Sequence, residues 1–459
     1  MSTPKPHNDL PTLADKLAWK EELARLSQRI QDCHTPHVLG IHGDWGSGKT
    51  SFMRQLQWQL GGEIPQDGSV ADCSKDTNKA LQQKIITIWF DAWRYQNEAV
   101  PVVALLHEMR RQMATMSVLK EKFGATMEIA LRYTLNSLAD IGKSIGIEGL
   151  PSADKIEKLG NDREAKHHAQ TSISDSLRSH LQATIQALLP SEDARVVVFI
   201  DDLDRCNPKA SIRLLEGLKI YLSIPNCVFV LGMNERILVD AIREEISAPK
   251  EIAPEELKLR AAHYLEKICT DIYRLPLPKD AGVLLGQWIA DSEQCQALTA
   301  ALGKIVCLPP NPRRLKALAN QWDRFAACVA FPASQSDQEI WAVRVLIAAY
   351  IHQFHRDLWE RWYFTPDFIL EVKTWCSTTP LRDLDGKLLP PPAWASALKL
   401  TQKEVNGTWQ TNFPNPGDID IFWVDGLIRH YRDSFVPDDF MPLLGVKLCA
   451  PMPLKQITP

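Results

Sequence analysis

Gly43-Asp44-Trp45-Gly46-Ser47-Gly48-Lys49-Thr50 satisfies G-x-x-x-x-G-K-[ST], a spacing that gathers backbone N–H donors around phosphate oxygens. Glycines at 43, 46 and 48 let the chain turn inward without Cβ clashes, and the following helix brings its positive end to the same place. Lys49, expected to be exposed in this loop, has the reach for a nucleotide's β- and γ-phosphates, and Thr50 has the hydroxyl for Mg²⁺. Asp44, Trp45, Ser47 and the next residue, Ser51, complete the expected nucleotide-binding set.

Asp201 and Asp202 supply the second constellation. They follow Val196–Ile200 (VVVFI), apolar on both faces as a buried parallel strand reads, at the end where open α/β sheets bind ligands. Asp201 is expected to hold Mg²⁺ through water, and Asp202 to orient and polarise an attacking water. For Asp204 a helix-capping role and a functional one stay open. Asn234, after the strand Cys227–Gly232, is either a sensor that bonds γ-phosphate and water or the N-cap of the next helix.

The elements that position these groups are legible in outline. Leu13–Ile30 carries an apolar stripe at helical spacing, His37–His42 (HVLGIH) reads as a strand, and Phe52–Leu60 resumes as a helix after the glycine turn. Gly61–Lys79 reads as a loop, and Ile85–Phe90 as a second strand. Helical material fills the interval to Leu189, with Ile173, Leu177, Leu181, Ile185 and Leu188 on one face. Asn207 caps a helix with Pro208 at its first position and Ile212, Leu215, Leu218 and Leu222 as its buried stripe. Ile272–Leu277 is a short fifth strand candidate. Strands alternating with helices predict an α/β fold with a parallel sheet covered on both faces.

The remaining composition narrows the function classes. The chain has 459 residues, 52 Lys+Arg against 56 Asp+Glu and a formal charge of -4, with no overall footprint for nucleic acid or an anionic membrane. No apolar run reaches the ~20 residues of a membrane span. The nearest, Ile129–Ile147, contains Arg132, Asp140 and Lys143. The 10 Cys include no C-x-x-C pair and the opening Met1–Asn8 is polar, so reduced thiols and a cytoplasmic location are expected. His355-Arg356-Asp357-Leu358 imitates a kinase catalytic loop, but no G-x-G-x-x-G precedes it, and His352 with His355 lacks ligand-spaced partners for a metal.

Together these residues resemble the KAP class of P-loop NTPases. GDWGSGKTSF (Gly43–Phe52), WFDAWRYQ (Trp89–Gln96), FIDDLDRC (Phe199–Cys206), YLEKI (Tyr264–Ile268) and NPRRLK (Asn311–Lys316) carry the resemblance over about 300 residues. It implies ATP and Mg²⁺ as ligands, a sheet whose phosphate-loop strand is centrally placed, and an acidic strand one strand away from it. It also implies Arg313 as a lid arginine on nucleotide phosphate and Arg205 as the arginine after the acidic strand, acting across a subunit interface. From the residues alone, Arg313 and Arg314 fit a helix-surface salt bridge equally well. Two differences stand out. Many relatives carry paired membrane spans between loop and acidic strand, whereas Thr50–Arg195 is polar enough to stay in water, and the sensor position holds Asn234 where the family often has Asp.

The expected organisation is a KAP-type P-loop domain over 1–330, with a helical insertion at 113–190 and a helical lid at 255–330, then a mixed Trp-rich region over 338–459. Of the 14 Trp, 8 fall at or after Trp322. That region has 12 Lys+Arg against 14 Asp+Glu, where a base-stacking groove wants a basic excess, so core packing or a protein partner is expected of its aromatics and nucleic acid is not indicated. The expected function is a Mg²⁺-dependent ATPase whose cycle drives a conformational or assembly switch, in bacterial antiphage defence by analogy with the family. The alternative is a slow or non-hydrolysing ATP-gated scaffold that associates with itself or a protein partner through the C-terminal region.

Overall fold

The computed structural model describes residues 7–73, 79–82, 84–97, positions between 104 and 116 and between 182 and 191, 193–221, 224–245, 254–278, 280–303, 308, 310–377 and short pieces between 392 and 444. The expectations for most of 113–190, including the Ile173–Leu188 helix face apart from the buried Ile185, and for the side chains of Leu218, Leu222, Trp394 and Trp423 lie outside the described residues. The chain divides into two compact units, Leu10–Pro276 and Met1–Asp9 with Leu277–Pro459.

The first unit is built on β1 (His37–His42), β2 (Ile85–Asp91), β3 (Arg195–Asp201), β4 (Cys227–Met233) and β5 (Asp271–Arg274), all parallel, in the order β2-β3-β4-β1-β5. The doubly apolar strands of the sequence have two covered faces here. Leu39, Ile41, Val197, Phe199, Val228 and Val230 point to a layer with Leu23, Leu26 and Ile30 of α1 (Lys20–Asp32) and Phe52, Met53 and Leu56 of α2 (Lys49–Gln59). Their alternates Val38, Val196, Val198, Ile200, Phe229 and Leu231 meet α3 (Pro208–Tyr221), α4 (Glu235–Glu245) and α5 (Pro254–Ile268) through Leu214, Leu238, Ile242 and Leu265. Period-2 alternation thus feeds two cores at once, which is why β1, β3 and β4 have no solvent-facing side. As the resemblance implied, the acidic strand β3 stands one strand away from β1, with β4 between them.

Three local expectations are corrected. The first helix begins at Lys20 rather than Leu13, because Asp15 accepts the Trp19 and Lys20 N–H groups at 2.8 and 2.9 Å and Ala18 has a left-handed φ of 56° that no helix continues through. β5 stops at Arg274 because Pro276 and Pro278 cannot donate to a ladder. On α3 the structure buries Leu214 and Leu215 and leaves Ile212 half-buried, while Asn207 caps the helix as expected, its Oδ1 accepting the Ala210 N–H at 2.9 Å.

The second unit holds α6 (Ala281–Gly286), α7 (Ser292–Leu302), α8 (Pro312–Ala326), α9 (Gln335–Phe354), α10 (Arg356–Phe364), α11 (Phe368–Ser377) and an antiparallel hairpin of β6 (Thr401–Val405) and β7 (Thr408–Asn412). α7 and α8 pack against α9, so packing is continuous across position 330 and the division between units falls at 276/277. Four of the tryptophans are core residues of this unit: Trp322, Trp341, Trp359 and Trp362 are buried, and Trp322 meets Trp341 edge to face at 5.6 Å. Among the described residues, no helix is long and apolar enough to cross a membrane.

His355 of this unit has a buried Nε2 without a hydrogen-bond partner, and burial, assisted by the Arg314 charge, pushes its imidazole down to about 4. Between that value and the ordinary 6.5 the unfolded chain binds the extra proton, so stability is complete above pH 6.5 and is lost as the pH falls. Acidification from pH 7.5 to 5 should cost this unit about 2 kcal/mol through His355. Urea unfolding of wild type and His355→Phe at the two pH values checks it. A difference between the two proteins that does not change with pH would refute the assignment.

Candidate nucleotide site

β1 ends at His42, the chain turns through 43–48, and α2 starts at Lys49. Gly48, at the cap of α2, has φ +96°, and a Cβ there would also lie 2.7 Å from the Trp19 ring, so only glycine closes this loop. The first turn of α2 leaves N–H groups without intrahelical acceptors at the carboxyl edge of the sheet, the usual provision for an anion.

Lys49 corrects one expectation. It is buried, at 7% exposure, because its ammonium is already engaged: Nζ donates to Gly43 O at 2.7 Å, to Asp44 O at 3.4 Å and to Asp204 Oδ2 at 3.3 Å. Trp45 Nε1 donates to the same Asp204 oxygen at 3.0 Å. Asp204 is therefore neither a solvated cap nor an idle member of the acidic cluster. Only 4% exposed, it ties the tip and the base of the loop together.

Asp201 is buried at the end of β3, and Thr50 hydrogen-bonds its carboxylate. Its Oδ1 is buried with no partner, and burial pushes its carboxyl upward against the Thr50 bond, the Asp202 N–H and the Lys49 charge. Space for that oxygen comes from Gly232 of the adjacent β4, where a Cβ would stand 2.6 Å from it and 2.6 Å from Met53 Sδ. A buried carboxylate oxygen lacking a donor, beside a threonine hydroxyl at a phosphate-binding loop, fits Mg²⁺. That ion is typically held by one or two protein oxygens together with substrate phosphates and water.

Asp202 follows at φ 58°, in the left-handed region that short polar side chains tolerate. Burial, then the neighbouring Asp201 charge, pushes its carboxyl up to about 7 against the opposing Arg205. Arg205, exposed on its outer side, places Nε 2.8 Å from Asp202 Oδ1 within the same chain. Asn234 takes the capping role and also reaches the loop. Its Oδ1 accepts the Arg236 N–H at 3.1 Å as a cap for α4, and its Nδ2 donates to Asp44 Oδ1 of the loop at 3.0 Å. Beside it, His42 Nδ1 accepts the Glu235 N–H at 2.9 Å, and burial lowers its imidazole. Ser51 turns its hydroxyl to the Thr12 N–H at 3.2 Å.

The WFDAWRYQ stretch stands at the same edge, since Asp91 of β2 pairs in register with Asp201. Trp89 lies between the stacked Phe199 ring at 5.8 Å and the Arg54 guanidinium of α2, 3.5 Å above its centroid, so it braces α2 onto the sheet. Arg313 belongs to the second unit. There Asn311 and Pro312 start α8 and the Arg313 Nε lies 2.6 Å from Asp9. Asp204 and Gly232 were the residues sequence reasoning undervalued. The third carboxylate of Asp-Asp-Leu-Asp and the Gly after a doubly apolar strand were their only local signals.

Residues 20–282 match the family described as the KAP family P-loop domain. A phage T7 exclusion protein of Escherichia coli (strain K12) is 19% identical over 321 residues, an alignment covering 64% of this chain. The chain spans only 37% of that relative's length. Among solved structures, the Aeropyrum pernix ORC2 protein in ADPNP-ADP complexes is similar with a TM-score of 0.40 and 12% identity, over 91% of this chain and 95% of that one.

Proposed function

The chain belongs to the KAP family of P-loop NTPases, and from that premise we propose that it binds ATP with Mg²⁺ and hydrolyses it, using the cycle to drive a conformational or assembly switch. The observation that carries this reading is the junction of Thr50 with the Asp201 carboxylate, whose Oδ1 is left without a donor, which joins the phosphate-binding loop to the acidic strand.

In this reading the 43–50 loop and Lys49 bind the phosphates, and Ser51 extends the loop's anion-binding turn. Thr50 and Asp201 hold the metal. Mg²⁺, when bound, neutralises phosphate charge and orients the reacting group. Asp202 accepts a proton from the attacking water, Asn234 positions that water, and Arg205 sets the Asp202 carboxylate or faces the transferring phosphoryl group. ATP-dependent phosphate release that disappears on chelation of divalent cations tests the reading. A light-scattering measurement with and without a non-hydrolysable analogue tests the assembly switch. Mg²⁺-independent or absent nucleotide binding would end it.

Because Arg205 pairs with Asp202 of its own chain, Arg205→Ala is expected to slow hydrolysis roughly 10- to 100-fold, the worth of one charge-assisted hydrogen bond of about 1.5–3 kcal/mol. The loss should not depend on protein concentration. Recovery of activity on mixing Arg205→Ala with Asp202→Asn would instead place Arg205 across a subunit interface.

A second reading is supported by Asn234, an uncharged residue already bonded to Asp44 and to its own helix. It makes the protein an ATP-gated scaffold with slow turnover. Multiple-turnover kinetics separates the two: one or fewer phosphates released per bound nucleotide lifetime favours the scaffold. For the cellular role we propose phage defence, on the relative named for phage T7 exclusion.

A further inference from the structure

We propose that Asp204 is a positioning residue that holds the phosphate-binding loop in its ligand-free arrangement through Lys49 and Trp45, and that the nucleotide's β- and γ-phosphates take the Lys49 ammonium from it. This rests on the ATP-binding reading above.

An ammonium has three N–H donors, and in Lys49 all three have acceptors: Gly43 O at 2.7 Å, Asp204 Oδ2 at 3.3 Å and Asp44 O at 3.4 Å. A phosphate oxygen therefore replaces one of these bonds rather than adding a fourth. The short bond to Gly43 O is the least replaceable. Of the two long ones, only Asp204 carries a negative charge, and two anions compete for one cation. The pair is buried, with side-chain exposures of 8% for Lys49 and 1% for Asp204, so water does little to screen that competition.

Asp204 also accepts from Trp45 at 3.0 Å, although Trp45 is 55% exposed. Asp204 Oδ1 is buried without a partner, so the carboxylate has an unused acceptor. The short turn Leu203–Arg205 that carries it also carries Arg205 and directly follows Asp202. Loss of the Lys49 contact thus reaches the two residues assigned to the water and the transferring group.

The test is calorimetric titration of a non-hydrolysable ATP analogue with Mg²⁺ into wild type, Asp204→Asn and Trp45→Phe, repeated with tripolyphosphate. The amide of Asp204→Asn keeps an acceptor for Trp45 but no longer competes for the ammonium. Its affinity for the analogue and for tripolyphosphate should rise about tenfold, a direction that a merely structural contribution does not produce. Trp45→Phe should raise affinity about two- to threefold by loosening the same contact, and it decides the matter if Asp204→Asn does not fold. Unchanged or weaker affinity in a folded variant overturns the proposal, as does loss of hydrolysis with unchanged affinity, which would make Asp204 a catalytic residue. Wild type that does not bind the analogue overturns the ATP reading itself and is recognised separately.

Discussion

Lys49→Ala is expected to gain no thermal stability from ATP, whereas wild type should gain about 2.7 kcal/mol at a hundredfold excess over Kd. The loop contributes donors of fixed geometry, and among its residues 43–50 only Lys49 brings a full positive charge to the phosphates. Because the ammonium is buried against Asp204, the substitution also leaves a carboxylate without its cation, a defect of about 3–5 kcal/mol in buried pairs. Loss of binding must therefore be separated from loss of fold. Lys49→Met with Asp204→Asn removes both charges while keeping volume, and replacing both partners is close to neutral for stability. That double variant should melt near wild type in the absence of ligand and still show no shift with ATP. A wild-type ligand shift in it would show that phosphate is held without Lys49.

Asp202→Asn should slow single-turnover hydrolysis by roughly 10²–10⁴ while leaving the affinity for a non-hydrolysable analogue within a few-fold of wild type. The substitution suits the backbone, since Asn tolerates the left-handed conformation Asp202 adopts at φ 58°. It removes the acceptor of a water proton and weakens the ion pair with Arg205, yet touches neither the Thr50–Asp201 junction nor the loop. Unchanged single-turnover rates would eliminate Asp202 from the chemistry. A parallel loss of analogue affinity would place it among the ligand contacts instead.

Local rules made much of the chain legible. The loop is recognisable because a doubly apolar strand, three glycines and a helix are consecutive in sequence, and phosphate binding needs nothing more distant. Asp201 and Asp202 are recognisable for the same reason, at the end of five apolar residues whose alternates turn out to fill two different cores. Turn chemistry at Asn207-Pro208 fixed the start of α3. The hairpin β6-β7 has a local signal too, in the Asn406-Gly407 pair between its strands.

What escaped is what depends on pairings far apart along the chain. Lys49 reads as an exposed loop cation until Asp204, 155 residues later, closes over it, and Asp44 has no visible partner until Asn234 arrives from 190 residues away. Both meetings follow from the order β2-β3-β4-β1-β5, which sets the Asn234 strand β4 beside the loop strand β1 and the acidic strand β3 next beyond it. The start of α1 is set by the Asp15 side chain, whose bonds to the Trp19 and Lys20 N–H groups leave no trace in hydrophobic periodicity. The sequence by itself determined the chemical groups and the short elements that carry them, since those obey local steric and hydrophobic rules. Only the tertiary structure decided which charges meet, because strand order brings distant segments together and burial makes an unpaired charge too costly to leave.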